Sequence, residues 1–387
     1  MTTADSPTAD EAPPGSTTTG DDAAPLRTPP ADGAPAARVR ASVAGRAVDV
    51  DIAVPAGQVV ALLGANGAGK STVLGLAAGT VRPTAGTVEI GGRTVAGPRW
   101  VPPHGRHVAL LAQDPLLFPH LDVTANVAFG LRATGLRRGE AARRAREMLE
   151  IVGAAHLVDR RPGELSGGQA QRVALARALA PDPAVVLLDE PLSALDVAAA
   201  AETRQVLRRV LRDAGRSTVL VTHDLLDVLA VADSAVVLEG GRVTEQGPAL
   251  EVLERPRSAF AANLAGVNLV TGTLGADGES VRTAGGLVLH GLPDPGCMPG
   301  TPAAASFSPR AVSVHAEPPG GSPRTVARAR VVSLERQAEL VRVRAATEGG
   351  LELAADITPS AVAALDLAPG IDVALVVKAA EVRISPA

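Results

Sequence analysis

The stretch that most constrains this chain runs from residue 64 to residue 72. It reads Gly-Ala-Asn-Gly-Ala-Gly-Lys-Ser-Thr and fits the phosphate-binding pattern G-x-x-x-x-G-K-[ST]. An apolar run at residues 59–63 precedes it and a helix-forming run at residues 72–78 follows, so we expect a buried strand, a tight loop and a helix start. Glycines let the backbone curl until successive N–H groups point at an anion, and the helix N-terminus adds partial positive charge.

The loop therefore predicts a binding site for the phosphates of a nucleotide. Lys70 would reach the β- and γ-phosphates, and Ser71 would hold a Mg²⁺ ion. The residues that we expect to bind the nucleotide are Gly64, Ala65, Asn66, Gly67, Ala68, Gly69, Lys70, Ser71 and Thr72. The alternative is a glycine-rich turn before a helix, which the complete pattern in this context disfavours.

Composition bounds what else the chain can do. Its 387 residues suggest two or three domains. The net charge of −4 gives no indication of a nucleic-acid binder, and the single cysteine, Cys297, excludes an intrachain disulfide or a cysteine metal cage. No apolar run reaches the roughly 18 residues that a transmembrane helix needs, and the N-terminus shows no secretory signal pattern. We therefore expect a cytoplasmic chain.

Three parts of the chain differ in their sequence patterns. Residues 1–36 are rich in Ala, Pro, Thr, Asp and Gly without periodicity, which predicts a disordered tail. Residues 37–265 alternate apolar strand-like runs with helical stretches, which predicts a mainly parallel α/β sheet with its ligand at the carboxyl ends of the strands. Residues 266–387 carry short alternating strands between Gly and Pro turns, which predicts a small all-β, barrel-like domain. Within it, residues 309–314 resemble residues 379–384, which favours a duplicated β module.

Two local predictions concern the α/β part. The alternation of valine and isoleucine over residues 37–54 predicts edge strands that lead into the strand of the phosphate loop. Residues 121–153 are helical in character, with predicted breaks at Gly135 and Gly139.

Further motifs follow the phosphate loop along the chain. Gln113 stands at the end of an apolar strand, and the pair Asp189 and Glu190 ends another. Such a pair beside a phosphate site can hold Mg²⁺ through water and orient or deprotonate an attacking water, or it can simply cap the next helix. Asp196 and His223 come later. A glycine-rich segment that opens a helix comprises Leu165, Ser166, Gly167, Gly168 and Gln169.

Taken in this order, the motifs resemble those of the ATP-binding cassette (ABC) ATPases over the α/β part of the chain. The resemblance implies a P-loop NTPase fold with ATP and Mg²⁺ as ligands. Glu190 would act on the attacking water, His223 would contact the γ-phosphate, and Gln113 would contact Mg²⁺ and water. The Mg²⁺ ligands would be Ser71, Gln113 and Asp189.

The resemblance also implies a homodimer. In this family the segment at residues 165–169 is a signature that faces the ATP of a second subunit. Each ATP site therefore needs two chains, arranged head to tail with two-fold symmetry, and Asp196 would lie at the shared seam. The chain departs from the family pattern at residues 37–58, which contain no Phe, Tyr or Trp to stack on adenine. The contact to adenine must then be aliphatic or come from elsewhere.

Weaker resemblances indicate the transported solute. Residues 101–106 and 117–121 resemble stretches of importer ATPases, those for molybdate in particular, and parts of residues 355–379 resemble the TOBE or molybdate-binding-protein module. Related modules bind molybdate between subunits through Ser, Arg and Lys. The matching positions here are Ser322, Arg324 and Lys378. Glu381, an anion, stands where such modules often have a small hydroxyl residue.

We therefore expect the ATP-hydrolysing subunit of an oxyanion importer, for molybdate or tungstate. It would dimerise on the cytoplasmic face of the membrane beneath a two-subunit permease fed by an extracytoplasmic solute-binding protein, with no nucleic-acid partner. Phe118 would accept a helix of the permease, or it would be a core residue. Two alternatives stay open. One is an importer ATPase for iron, sulfate, sugar or polyamine, and the other is a soluble ABC protein acting on DNA or ribosomes, although the chain shows neither long coiled coils nor a second cassette.

Overall fold

The phosphate loop belongs to a six-stranded central sheet. The computed structural model describes residues 34–320 and 324–386. The strands up to residue 248 are β1 (Ala37–Val43), β2 (Val48–Val54), β3 (Val59–Gly64), β4 (Ala85–Ile90), β5 (Arg93–Ala96), β6 (Val108–Leu111), β7 (Val185–Asp189), β8 (Thr218–Val221), β9 (Ser234–Glu239) and β10 (Arg242–Pro248). The helices of the same part are α1 (Lys70–Ala78), α2 (Val123–Ala133), α3 (Arg138–Ile151), α4 (Gly167–Leu179), α5 (Val197–Leu207), α6 (Leu225–Val231), α7 (Ala249–Glu254) and α8 (Ala259–Ala265).

The central sheet has the strand order β10-β9-β3-β8-β7-β6. β10 is antiparallel to β9, and the other neighbours are parallel. All of β3 is buried because helices cover both faces: Leu62 packs in one apolar cluster with α1, and Leu63 packs in another with α7 and α8. The carboxyl ends of β3, β8, β7 and β6 therefore meet at one edge of the sheet, where ligands of such folds bind. The predicted α/β fold of a P-loop NTPase is confirmed.

The strands that precede the phosphate loop form a sheet of their own, in the order β2-β1-β4-β5. The prediction that residues 37–54 are edge strands leading into β3 is confirmed for β2, which lies at the edge of this second sheet and precedes β3 in the chain. It is wrong for β1, which lies between β2 and β4. Buried and exposed residues alternate along β2, so the sheet has one solvated face, whereas both faces of β3 are covered. The buried face packs with α1 in one apolar cluster.

Residues 121–153 are helical, as predicted, but the structure has one break between two helices where the sequence predicted breaks at two glycines. Residues 134–137 separate α2 from α3, and Gly135 there adopts a left-handed φ of 93°. The predicted break at Gly139 is wrong, because Gly139 is the second residue of α3. The first-turn N–H groups of a helix have no intrahelical partner, so a glycine costs little there.

Beyond residue 266 the chain is almost entirely β-structure. Its strands are β11 (Asn268–Leu274), β12 (Ser280–Arg282), β13 (Val288–His290), β14 (Leu292–Pro293), β15 (Pro302–Phe307), β16 (Val312–His315), β17 (Thr325–Gln337), β18 (Leu340–Thr347), β19 (Glu352–Ile357), β20 (Asp372–Val377) and β21 (Arg383–Pro386), with one helix, α9 (Pro359–Ala364). They form two sheets, β13-β12-β11-β15-β21-β14 and β16-β20-β17-β18-β19. A single apolar cluster draws on both sheets, which curl around it as the predicted barrel-like fold.

The two halves of this β part exchange their last strands. β15 leads through a 3₁₀ turn at Pro309–Ala311 into β16, and β20 leads through a 3₁₀ turn at Ala379–Glu381 into β21. β16 pairs with β20, and β21 pairs with β15, so each half supplies a strand to the sheet of the other. The resemblance between residues 309–314 and 379–384 corresponds to these matching turns and strands.

Most of the predicted N-terminal tail, residues 1–36, lies outside the described residues. Ala36 is described: it is buried, and its N–H donates a hydrogen bond to the carbonyl oxygen of Val54 at 2.8 Å. Across the described ranges, no helix has both the length and the apolar character needed to span a bilayer.

Candidate nucleotide site

The phosphate loop is held closed by its own lysine. Lys70 is 8% exposed, and its Nζ donates hydrogen bonds to the carbonyl oxygens of Gly64 and Ala65 at 2.7 and 3.0 Å. Gly69 precedes α1 with a φ of 104°, and a Cβ at this position would lie 2.7 Å from the Val48 side chain. Glycine alone fits there without strain. Gly69 caps α1 and has no side-chain acceptor, and the N–H of Thr72 donates to the carbonyl oxygen of Gly69 at 3.0 Å. The N–H groups of Lys70 and Ser71, at the start of the helix, are therefore the ones that can face an anion.

Two carboxylates stand beside the loop. Asp189 is the last residue of β7, and Glu190 follows it with a left-handed φ of 46°, which is uncommon outside glycine. The N–H of Glu190 donates to the carbonyl oxygen of Val221 at 3.0 Å, which ties this strained residue to β8. Burial raises the pKa of Asp189, the charge of Glu190 adds to the rise, and Lys70 opposes it. Burial likewise lowers the pKa of Lys70, and the charges of Glu190 and Asp189 oppose that shift, so the three groups act on one another.

Three polar side chains connect to Glu190. The Nδ1 of His223 lies 3.4 Å from Glu190 Oε2, and His223 is 62% exposed. The Oγ of Ser193 donates to the carbonyl oxygen of Glu190 at 3.0 Å and accepts from Gln113 Nε2 at 3.2 Å. The structure therefore brings the three predicted catalytic residues together. Ser193 is the residue that the sequence patterns miss, although a hydroxyl in the turn after a carboxylate pair is a signal for such a contact.

The signature segment makes its own hydrogen bonds. The Oγ of Ser166 accepts from the N–H of Gln169 at 3.3 Å, and Gln169 Oε1 accepts from the N–H of Ser166 at 3.0 Å, which is a capping box at the start of α4. Gly168 packs so close to α5 that a Cβ would lie 3.1 Å from the methyl group of Ala199. The two helices therefore begin side by side.

Asp196 begins α5 at this same surface. Its Oδ1 accepts from the N–H of Ala199 at 2.9 Å, and the next residue, Val197, is 89% exposed. Gly167 is the first residue of α4, and Leu165 packs against the apolar cluster of the helical part. Among the described residues, no hydrogen bond joins this surface to the phosphate loop. Within one chain, the signature and the phosphate loop are thus two separate surfaces.

The predicted oxyanion residues lie at one end of the C-terminal sheets. β17 and β20 pair antiparallel, with Thr325 opposite Val377. Arg324 and Lys378 are the next residues along the two strands, so they come side by side at the end of the pair. Both are exposed.

Acidic groups accompany this pair. The Nη1 of Arg324 lies 3.7 Å from Glu279 Oε2. Glu381 is exposed, and its own N–H donates a hydrogen bond to the carbonyl oxygen of Lys378. Ser322, the third predicted residue, lies outside the described residues. An anion at this place would therefore meet two cations, one of which, Arg324, already lies beside the carboxylate of Glu279.

The stretch at residues 101–106 ends in a buried arginine. Arg106 is 1% exposed, and its guanidinium lies over the Trp100 ring at 4.4 Å from the centroid. It donates hydrogen bonds of 2.6 to 3.2 Å to the carbonyl oxygens of Leu76, Ala77, Val95 and Val101. Two of these carbonyls belong to the last turn of α1, so a cation caps the carboxyl end of the helix that begins in the phosphate loop.

Phe118 lies at the edge of an apolar patch made by Leu116, Phe118 and Phe129. Phe118 is half-buried, with its ring centroid 4.6 Å from that of Phe129 and the Arg177 guanidinium 5.4 Å away. Leu116 and Phe129 are 68% and 51% exposed. Phe118 thus supports a solvent-facing apolar surface.

An arginine, and no aromatic ring, stands upstream of the loop. The Nη1 of Arg46 lies 3.4 Å from Thr72 Oγ1, the last residue of the nucleotide-binding stretch. Residues 37–58 contain no aromatic side chain, so an aromatic contact to adenine from this segment is excluded.

Comparison with known proteins places these features in one family. Residues 47–193 match the ABC transporter family, and residues 321–384 match the TOBE domain. The chain is 50% identical over 360 residues to a molybdenum import ATP-binding protein of Mycobacterium tuberculosis, an alignment that covers 90% of this chain and 97% of the relative. It is 40% identical over 282 residues to an Fe(3+) ions import ATP-binding protein of Brucella abortus, covering 72% of this chain and 78% of that protein. It is 46% identical over 237 residues to a spermidine/putrescine import ATP-binding protein of Frankia alni, covering 60% of this chain and 50% of that protein.

The three alignments differ most in how much of the chain they cover. The first extends over 90% of the chain, against 72% and 60% for the others. The chain therefore belongs to the ABC transporter ATP-binding proteins, and its C-terminal part carries a TOBE domain.

Proposed function

We propose that this chain is the ATP-hydrolysing subunit of an ABC importer that takes up molybdate. The observation that carries the proposal is the 50% identity to a molybdenum import protein over 97% of that protein's length, the C-terminal β part included. The convergence of Gln113, Glu190 and His223 beside the phosphate loop supports it, because ATP hydrolysis needs these groups around one terminal phosphate.

ATP would bind with its phosphates over the N-terminus of α1. The helix dipole and N–H groups of the loop, those of Lys70 and Ser71 among them, would hold the phosphate oxygens. Lys70, fixed in the loop by two carbonyl oxygens, would present its ammonium to the β- and γ-phosphates. Its charge is partly desolvated, which strengthens its interaction with an anion.

The donors around the loop suit Mg²⁺. Ser71, Asp189 and Gln113 offer hard oxygen atoms, which this ion prefers. Bound Mg²⁺ would neutralise charge that develops on the β- and γ-phosphates. Burial makes the isolated carboxylate of Asp189 costly, and a cation beside it would remove that cost. In the part of the chain that the structure describes, no group of three or more His, Cys, Asp and Glu side chains could hold a metal, which agrees with a site that the phosphates complete.

Glu190 would orient the attacking water and take its proton. Its backbone is held to β8 by a hydrogen bond, and its carboxylate lies 3.4 Å from His223 Nδ1. His223 would contact the γ-phosphate. Gln113, held by Ser193, would contact the water and the metal.

A second copy of the chain would complete each site. The signature residues Leu165, Ser166, Gly167, Gly168 and Gln169 present the N-terminus of α4 to solvent, ready to face the γ-phosphate on the partner. Asp196 and the exposed Val197 would lie at the seam between the copies. Supporting this, the signature makes no hydrogen bond to the phosphate loop of its own chain among the described residues.

The remaining partners would be membrane proteins. The apolar patch of Leu116, Phe118 and Phe129 offers a surface for a permease helix, and this would place the chain on the cytoplasmic face of the membrane. An extracytoplasmic solute-binding protein would deliver the solute to the permease. The C-terminal part, from residue 266, would form a regulatory domain separate from residues 37–265, since its apolar cluster contains no residue of the α/β part. Arg324 and Lys378 would bind the oxyanion there by charge-assisted hydrogen bonds, with Ser322.

Mixed dimers test the shared ATP site. Ser166→Arg places bulk and charge where the partner's phosphate would dock, and Lys70→Ala removes the phosphate-facing cation. Each homodimer should be inactive. A heterodimer with one lesion on each chain keeps one site with an intact loop and an intact facing signature, so it should recover activity. A chain with both lesions paired with the wild type has one lesion in each site and should stay inactive. The two heterodimers are purified away from homodimers before the assay, because mixing with the wild type also forms active wild-type homodimers. Equal activity of the two purified heterodimers would contradict the head-to-tail arrangement.

Calorimetry on the full chain tests the oxyanion site. Molybdate or tungstate should give binding heat that is lost on Lys378→Ala and weaker with sulfate. Arg383→Ala, an exposed cation in the last strand, is the matched control and should retain binding. An absence of heat with all three anions would leave the C-terminal domain without an oxyanion site.

A further inference from the structure

A buried ion-pair network joins α5 to α6 behind His223. Arg204, on α5, donates from Nε to Asp227 Oδ1 at 2.8 Å and from Nη2 to Asp224 Oδ2 at 3.1 Å. The other oxygen of Asp227 accepts from Thr222 Oγ1 at 2.7 Å. The side chains of Arg204 and Asp227 are only 14% and 4% exposed, so the surrounding packing fixes this geometry.

The network holds both neighbours of His223. Thr222 is 3% exposed, and its Oγ1 also accepts from the N–H of Asp224 at 3.1 Å. Asp224 in turn caps α6 by accepting from the N–H of Leu226 at 2.7 Å. His223 itself is 62% exposed, so packing does little to hold its ring. Apart from its contact with Glu190 Oε2 at 3.4 Å, the ring depends on the backbone on either side, which the network holds.

The same arginine belongs to the helix that begins at Asp196. Arg204 lies eight residues after Asp196, which is about 12 Å along the helix axis. Arg204, Glu190 and His223 line one cavity of about 300 Å³ between α5 and α6. A planar guanidinium with two carboxylates on the facing helix fixes the rotation of one helix against the other, which the single point charge of a lysine does not.

We propose that Arg204 is a positioning residue for recognition of the γ-phosphate. It sets the His223 ring through Asp227 and Thr222, and it couples that ring to the helix that starts at the subunit seam. The inference rests on the proposed role of His223 at the γ-phosphate. ATP carries the γ-phosphate and ADP does not, so a residue that acts through His223 affects binding of ATP more than binding of ADP.

The test compares ATP with ADP in the full chain. For Arg204→Met and Arg204→Lys, kcat should fall by roughly tenfold to a hundredfold, the size expected when a catalytic group is misplaced by about 1 Å. The ratio of ATP affinity to ADP affinity should fall as well, while ADP affinity should hold. Arg204→Lys keeps the positive charge, so it serves as the second variant if Arg204→Met does not fold. Glu202→Gln is the matched control, because Glu202 lies on α5 but pairs with Arg172 of α4; it should leave kcat and the ratio unchanged.

A double-mutant cycle separates positioning from a general loss of stability. In a His223→Ala background, Arg204→Met should no longer change the ratio of ATP to ADP affinity, because the residue through which it acts is gone. An equal change in both backgrounds would overturn the inference, as would a lowered Tm with unchanged kcat and ratio. Wild-type activity and affinity ratio in His223→Ala would refute the role of His223 and this inference with it. A wild-type chain that hydrolyses no ATP would instead refute the proposed function.

Discussion

Replacing Arg106 by methionine tests whether the helix of the phosphate loop depends on the buried cation at its carboxyl end. Methionine keeps much of the aliphatic volume but has no donor. The substitution therefore leaves four carbonyl oxygens, two of them in the last turn of α1, without the hydrogen bonds that Arg106 supplies. The site is 1% exposed, so water does not readily replace the lost donor.

The expected loss follows from these contacts. Hydrogen bonds to a charged group contribute about 1.5–3 kcal/mol each. Part of this sum is offset, because burial lowers the pKa of Arg106 and the buried charge is itself costly. We expect a net loss of about 3–5 kcal/mol, because each buried acceptor left unsatisfied costs about 1–3 kcal/mol and removal of the buried charge offsets part of the total. In a domain of this size each kcal/mol lowers Tm by about 2–4 °C, so the Tm of the α/β part should fall by about 10 °C.

Calorimetric unfolding of the full chain without nucleotide measures this loss. The control is Arg82→Met, because the Arg82 guanidinium also lies over Trp100, at 4.9 Å, but at an exposed position. That change should cost no more than about 1 kcal/mol. ATP at about 100 times its Kd should stabilise every folded variant by about 2.7 kcal/mol and so recover part of the deficit. A loss within about 1 kcal/mol of the Arg82→Met value would refute the reasoning.

Three further changes test the site and the surface. Glu190→Gln should retain ATP binding, lose roughly 10²–10⁴-fold in turnover and trap an ATP-bound dimer on size-exclusion chromatography; hydrolysis at the wild-type rate would remove Glu190 from the mechanism. Asp189→Asn should raise Tm at about pH 7: burial raises the pKa of Asp189, so its ionised form costs stability above that pKa, and the gain should shrink at lower pH, where the wild-type carboxyl protonates. An equal shift at both pH values would count against that cause. Phe129→Asp, at a position 51% exposed, should leave the ATPase of the isolated chain unchanged and abolish co-purification with the permease, whereas retained co-purification would place the docking surface elsewhere.

Sequence pattern predicted the centre of the fold because both faces of the central strands are covered. The unbroken apolar run of β3 and the strands that end at Asp189 and before His223 could only be interior strands of a parallel sheet. The carboxyl ends of such strands share an edge, which predicted that the motifs converge. The same reasoning failed for β1. Alternation identifies a strand with one solvated face but does not identify the sheet to which it belongs.

The contacts that organise the site could not be predicted from the sequence. The left-handed backbone of Glu190 has no sequence signature, because a non-glycine residue keeps such a φ only where tertiary contacts, here including the hydrogen bond to β8, hold it. Ser193 contacts Gln113, which lies 80 residues earlier in the chain, and Arg204 contacts Asp227, which only the packing of α5 and α6 brings near. Arg106 is a buried cation that four carbonyl oxygens satisfy, whereas sequence rules expect a carboxylate partner for such a residue.

Uptake of molybdate tests the central claim most directly. The full chain is reconstituted in vesicles with its permease and solute-binding protein, with ATP on the side of the ATPase, and labelled molybdate, ferric iron and spermidine are offered in separate experiments. We predict accumulation of molybdate that needs ATP, disappears with Glu190→Gln and greatly exceeds that of the other two solutes. Accumulation of iron or spermidine in place of molybdate, or molybdate entry that persists with Glu190→Gln, would contradict the claim.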